Sequence, residues 1–149
     1  MPKKVKPIPK GYHAVTPSLN QHDAAKTIDF CKKAFGAKVR MMMKGPTGGV
    51  MHAEIEIGDS VLMLNDAMQE PAVPSGLFLY VDNVDKTIAK AVKAGGELLM
   101  PAQDMFWGDR FGRIRDPQGN TWGIATHVED VTPKDMKKRA AAAFSPPAQ

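Results

Sequence analysis

At 149 residues with one cysteine, Cys31, the chain is sized for a single domain with its own core, and it can form neither an internal disulfide nor a multi-cysteine zinc cluster. The net charge of +4 sits at the ends: Lys3, Lys4, Lys6 and Lys10 carry +4 before residue 11 and residues 132–149 carry +3, which leaves −3 for residues 11–131. An acidic body argues against a nucleic-acid partner, and without a leader or a long apolar run the expectation is a cytoplasmic protein with no membrane partner.

In chain order, residues 1–10 (MPKKVKPIPK) read as a basic, proline-broken tail. Residues 12–19 read as a first strand. Asp23 or His22 then caps a helix whose apolar residues Ala24, Ile28, Cys31 and Phe35 fall on one face, and Gly36 stops it. Residues 38–44 (KVRMMMK), 50–57 and 60–65 read as three strands, separated by the GPTGG turn and by Gly58-Asp59. The run Met41-Met42-Met43 is expected to fill core, although thioethers also suit an adaptable cavity. After the linker at 69–76, a strand at 77–81 leads to a helix at 84–94 with Ile88, Ala91 and Val92 inward. Strands at 97–100, 109–115 and 121–127 follow, the last two joined by the DPQG turn. Residues 132–149 read as a tail, partly disordered, in which 138–149 looks like a frayed helix end and a disordered terminus.

The order of elements repeats, and so do residues. At an offset of 60, Lys26-Thr27-Ile28 lies over Lys86-Thr87-Ile88, Lys33-Ala34 over Lys93-Ala94, and Gly36 over Gly96. The expectation is an α+β fold: one domain over 11–131, built of βαβββ modules at 11–66 and 76–127 whose curved mixed sheets enclose a cavity.

Alternation along 50–57 puts His52, Glu54 and Glu56 on one face and Ala53, Ile55 and Ile57 on the other, which is expected to face the helix. His52 and Glu54 are therefore candidate ligand contacts. Phe78 and Tyr80 share a strand face, as do Trp122 and Ile124. The stretch Asp104–Arg110 concentrates Phe106, Trp107 and Arg110, which together offer stacking and an anion-binding fork. The expectation is that Trp107 and Arg110 border the main cavity with Phe78 or Tyr80 in its wall. An alternative has Trp107 plug the cavity while Asp109 pairs with Arg110 or Arg113. Cys31, facing the interior, reads as an inert thiol.

The segments DAAKTIDFCKKAFGAKV (23–39), VDNVDKTIAKAVKAGGE (81–97) and above all FGRIRDPQGNTWGIAT (111–126) resemble the vicinal oxygen chelate superfamily, which includes glyoxalase I, extradiol dioxygenases and bleomycin-type resistance proteins. The stretches 50–66, 108–110 and 125–131 are most similar to its PhnB-like branch. The resemblance implies the fold and a small-molecule pocket. It also implies metal-ligand positions on the first and last strand of each module, which here fall on Thr16, on Leu62 or Met63, on Gly76 and on Gly123. None is a His or a carboxylate, so no metal and no cofactor are expected there.

These readings point to a metal-independent, small-molecule-binding homodimer that sequesters a hydrophobic or aromatic compound. The alternative is a lyase, isomerase or dioxygenase with a relocated metal site at His52, Glu54 or His13, or with acid/base chemistry by Glu54 or Glu56.

Overall fold

A computed structural model describes residues 3–145; what was expected of residues 1, 2 and 146–149 lies outside the described residues. β1 (Ser18–Gln21), α1 (Ala24–Phe35), β2 (Lys38–Lys44), β3 (Val50–Ile57) and β4 (Ser60–Asp66) build a sheet of order β1-β4-β3-β2. β5 (Gly76–Tyr80), α2 (Val84–Lys93), β6 (Glu97–Asp104), β7 (Asp109–Arg115) and β8 (Thr121–His127) build a second, of order β5-β8-β7-β6. In both, the first strand runs parallel to the last and the other pairs are antiparallel, so βαβββ occurs twice.

The two helix starts are built alike. Asp23 and Asn83 accept from the backbone N–H of Lys26 and Lys86, at 3.2 and 3.1 Å. The next orphan donors, the N–H groups of Ala24 and Val84, find Asp66 Oδ1 at 2.8 Å and Thr126 Oγ1 at 2.9 Å. Asp66 is the last residue of β4 and Thr126 the last but one of β8, so the helix–sheet joint repeats with the sequence. Each cap contributes about 1 kcal/mol. α1 ends at Gly36, whose φ of 68° is left-handed and favours glycine.

The helix-bearing sides of both sheets share one core. α1 packs on β1, β3 and β4, α2 on β6, β7 and β8, and the two helices on each other. Phe35 of α1 meets Trp122 of β8 with ring centroids 4.8 Å apart, and Phe30, Leu64, Ile114 and Ile124 are buried around them. The sheets do not close into a barrel, and the opposite side of each sheet carries neither α1 nor α2.

Three expectations change, and the C-terminal stretch contains a helix. The first strand starts at Ser18, because Pro17 has no N–H for the ladder; residues 12–17 precede it without strand pairing. Met41, Met42 and Met43 are 45%, 38% and 49% exposed and are not core filling, because β2 is the edge strand outside the cover of α1. Val92 is exposed, since α2 buries only Val84, Ile88 and Ala91. Within the C-terminal stretch, α3 (Pro133–Ala143) is a capped helix: Thr132 accepts from Asp135 N, Arg139 pairs with Glu129 at 2.7 Å, and Phe144 packs edge-on against Phe106.

Candidate functional site

The helix-free side of the second sheet carries a connected group of aromatic rings around one buried carboxylate. Phe78 and Tyr80 of β5 and Phe111 of β7 stand on either side of β8, whose residues between them are Gly123 and Ala125. Because those two are small, the rings meet above the strand. Phe78 and Phe111 stack with centroids 5.4 Å apart and planes 4° off parallel, and Tyr80 and Trp107 extend the group at 5.1 and 5.7 Å. A Cβ on Gly123 would lie 2.9 Å from the Phe111 ring and 3.0 Å from that of Phe78, so any side chain there must push the rings aside.

Asp109, 2% exposed, holds the far end. Its Oδ2 accepts from the Tyr80 hydroxyl and the Trp107 indole N–H, both at 2.9 Å, and Oδ1 accepts from His127 Nδ1 at 2.8 Å. His127 Nε2 reaches Asp130 at 2.7 Å. Burial by itself would raise the Asp109 carboxyl, but the hydrogen bonds from His127, Tyr80 and Trp107 outweigh it and hold its pKa below the ordinary value. Hydrogen bonding to Asp109 first, and to Asp130 second, raises that of His127. Tyr80 is raised chiefly by its bond to Asp109. One carboxylate thus orients three rings. Phe78 and Tyr80 nevertheless remain 51% and 60% exposed.

The residues singled out in the sequence are distributed over three places. Phe78, Tyr80 and Trp107 come together in this group, and Phe106 joins its edge through Trp107 at 5.1 Å. Arg110 does not. The pleat turns it to the helix side, where it binds Asp85 of α2 at 2.8 Å and Asp104 at 3.3 Å, so Asp109 pairs with neither Arg110 nor Arg113. Trp122 is likewise on the helix side, buried, with its indole N–H donated to Asp116 at 2.9 Å. His52 and Glu54 lie on the first sheet, joined Nε2 to Oε2 at 3.0 Å. Missing from the sequence reading were Asp109 as the organising group and Phe111 as the second ring. Their signal was the shared parity of 109 and 111 on β7.

Two hollows adjoin the sheets. One of about 160 Å³, lined by Thr16, Leu62, Phe78 and Trp122 among others, lies between the modules and is small for a drug-sized ligand. Neither Trp107 nor Arg110 lines it. A wider groove of about 520 Å³ runs under residues 7–16, over Met41, Glu54 and Met63 of the first sheet. Arg40 lies over the Tyr12 ring at 5.2 Å and fastens that segment. Cys31 is buried, and burial pushes its thiol up to about 12, which leaves it without nucleophilic character.

The metal-ligand positions implied by the resemblance can now be placed. Ser18 pairs with Met63 and Phe78 with Gly123, and residues 18 and 78 are repeat partners, so Met63 rather than Leu62 corresponds to Gly123. Thr16, Met63, Gly76 and Gly123 offer one hydroxyl and one thioether, which do not suit a catalytic divalent ion. At position 123 the space for a ligand side chain is filled by phenyl rings. No group of three or more His, Cys, Asp or Glu suited to a metal occurs among the described residues. No helix among them is long and apolar enough to cross a membrane.

Residues 12–124 match the family model described as Glyoxalase/Bleomycin resistance protein/Dioxygenase superfamily. The chain is 32% identical over 136 residues to the Mycobacterium bovis protein Mb0911c, covering 83% of this chain and 90% of that one. Among solved structures it is similar to TioX from Micromonospora sp. ML1, with TM-score 0.67, 21% identity, and coverage of 78% of this chain and 99% of that chain. It is also similar to the PhnB protein from Bacillus cereus, with TM-score 0.59, 18% identity, and coverage of 76% and 99%. The two structural likenesses bear on the fold alone.

Proposed function

We propose that this chain, which belongs to the Glyoxalase/Bleomycin resistance protein/Dioxygenase superfamily, is a metal-independent small-molecule-binding protein that sequesters a hydrophobic or aromatic compound. Its site is the helix-free face of the second sheet, with Phe78, Tyr80 and Trp107 as contacts and Phe106 at the margin. One observation carries the reading: Phe78 and Phe111 close over Gly123, so rings fill the place where a metal ligand would project. A stacking surface held rigid by a buried carboxylate recognises flat apolar molecules through area and ring geometry, with no ion needed.

A second copy of the chain completes the site. Met41 and Met43 on the first sheet and Phe78 and Tyr80 on the second are large, apolar and exposed, with residues 7–16 running over part of the first sheet's face. Docking the first sheet of one copy over the second sheet of another would bury both and enclose the ligand.

The test is elemental analysis of protein purified without chelator, with melting-temperature scans in Zn²⁺, Mn²⁺, Ni²⁺ and Fe²⁺. The expected result is substoichiometric metal and no ion-specific stabilisation. One equivalent per chain, lost in His52→Ala or Glu54→Ala, would instead make the His52–Glu54 pair the core of an enzyme's metal centre.

A further inference from the structure

We infer that the ligand of the second sheet is an aromatic carboxylate whose anion is held by Arg113; this rests on the reading of that face as the binding site. Alternation along β7 puts Asp109, Phe111 and Arg113 on the helix-free side, with Arg110 and Ile114 on the other. Arg113 stands directly across from Gly123, which stands across from Phe78, so its guanidinium is rooted beside the stacked rings.

Among the described residues Arg113 is the arginine without a partner. Arg110 binds Asp85, Arg115 binds Glu97, Arg139 binds Glu129, and Arg40 lies on Tyr12 and donates to the Lys10 carbonyl. Arg113 is exposed and makes none of these contacts. The other charges of the face are already matched: Asp109 accepts from three donors, and His127 lies between Asp109 and Asp130. What remains is an apolar ring surface with one free planar cation at its end. That cation matches a carboxylate in fork geometry, and the rings match a flat π-system.

The spacing sets the size. Asp109 and Arg113 are four residues apart on one strand, about 13 Å, which accommodates a fused bicyclic acid lying along the rings. A neutral analogue keeps the stacking and loses the anchor.

The experiment is isothermal titration of the whole chain with 1-naphthoate and with 1-naphthalenemethanol, on wild type and on Arg113→Met. The acid is expected to bind about fivefold more tightly than the alcohol at low salt, with the margin narrowing as salt is added. In Arg113→Met the preference should vanish while alcohol binding is unchanged; the side chain is exposed and unpartnered, so the fold tolerates its loss. Equal affinity for both probes in wild type, or a preference that survives in Arg113→Met, overturns the role of Arg113 and leaves the aromatic site standing. If neither probe binds, both readings fall. The face would then serve as a contact between copies alone, with no ligand enclosed.

Discussion

Gln21 and Asn120 form a reciprocal amide pair across the junction of the two modules. Gln21 Nε2 donates to Asn120 Oδ1 at 3.2 Å, Asn120 Nδ2 donates back to Gln21 Oε1, and both residues are buried. Thr27 donates to Gln21 Oε1 at 2.7 Å, and Asp116 accepts from the Asn120 side chain and from Trp122. The Ser75 N–H also donates to Asn120 Oδ1, so the linker joins the same network. The two halves are therefore pinned by directional bonds as well as by shared apolar core.

Asn120→Ala is accordingly predicted to destabilise the fold by about 2–3 kcal/mol, because it strands the buried Gln21 amide and removes one donor from Asp116. Urea denaturation should show a lower midpoint with an unchanged slope. A loss under about 0.5 kcal/mol would mean that the pair is incidental to stability.

Gly123→Ala is predicted to cost about 1–3 kcal/mol, since the added methyl meets the Phe78 and Phe111 rings and must separate them. Near-ultraviolet circular dichroism should change with it. Gly123→Glu should destabilise further without creating divalent-ion binding, because Thr16, Met63 and Gly76 supply no strong companion donors.

The raised pKa of His127 fixes the sign of one pH effect. Protonated His127 is held by Asp109 and Asp130 in the folded chain, so its stabilising contribution is complete below the ordinary value of 6.5 and is lost as pH rises through the raised one. The Tm difference between wild type and His127→Gln should therefore be largest below about pH 6 and shrink on the alkaline side. A difference that grew with pH would contradict the ion pairing.

Trp107→Ala should weaken binding of an aromatic ligand by about 1 kcal/mol or more, through lost stacking and through release of one of the three donors that fix Asp109. Trp107→Phe separates the two causes. It restores ring area without the indole N–H, so affinity close to wild type would assign the effect to stacking alone.

Several features were legible because they rest on interactions within a few residues. The cap at Asp23 acts three positions along, Gly36 stops its own helix, and the offset of 60 reports one supersecondary unit written twice. Alternation also separated Ala53, Ile55 and Ile57, all buried, from His52, Glu54 and Glu56. Chain proximity was a poorer guide to the site. Trp107 and Arg110 read as one cluster, yet the pleat sends Arg110 to Asp85, 25 residues away, while Trp107 turns to the rings.

The sequence by itself determined the modules, their order, the helix ends and the want of strong metal donors at the four implied positions, because period, capping and ligand chemistry are properties of residue types at short range. Tertiary structure alone decided which side of the second sheet meets the helices, that the methionine strand is an edge, and that Asp109 gathers Tyr80, Trp107 and His127. It also decided that Gln21 meets Asn120 across 99 residues. On β5, where Leu77 and Leu79 share one face and Phe78 and Tyr80 the other, alternation divides the strand without saying which face is buried. That assignment depends on burying the apolar sides of α1, α2 and both sheets in one core, a choice made by the whole chain at once.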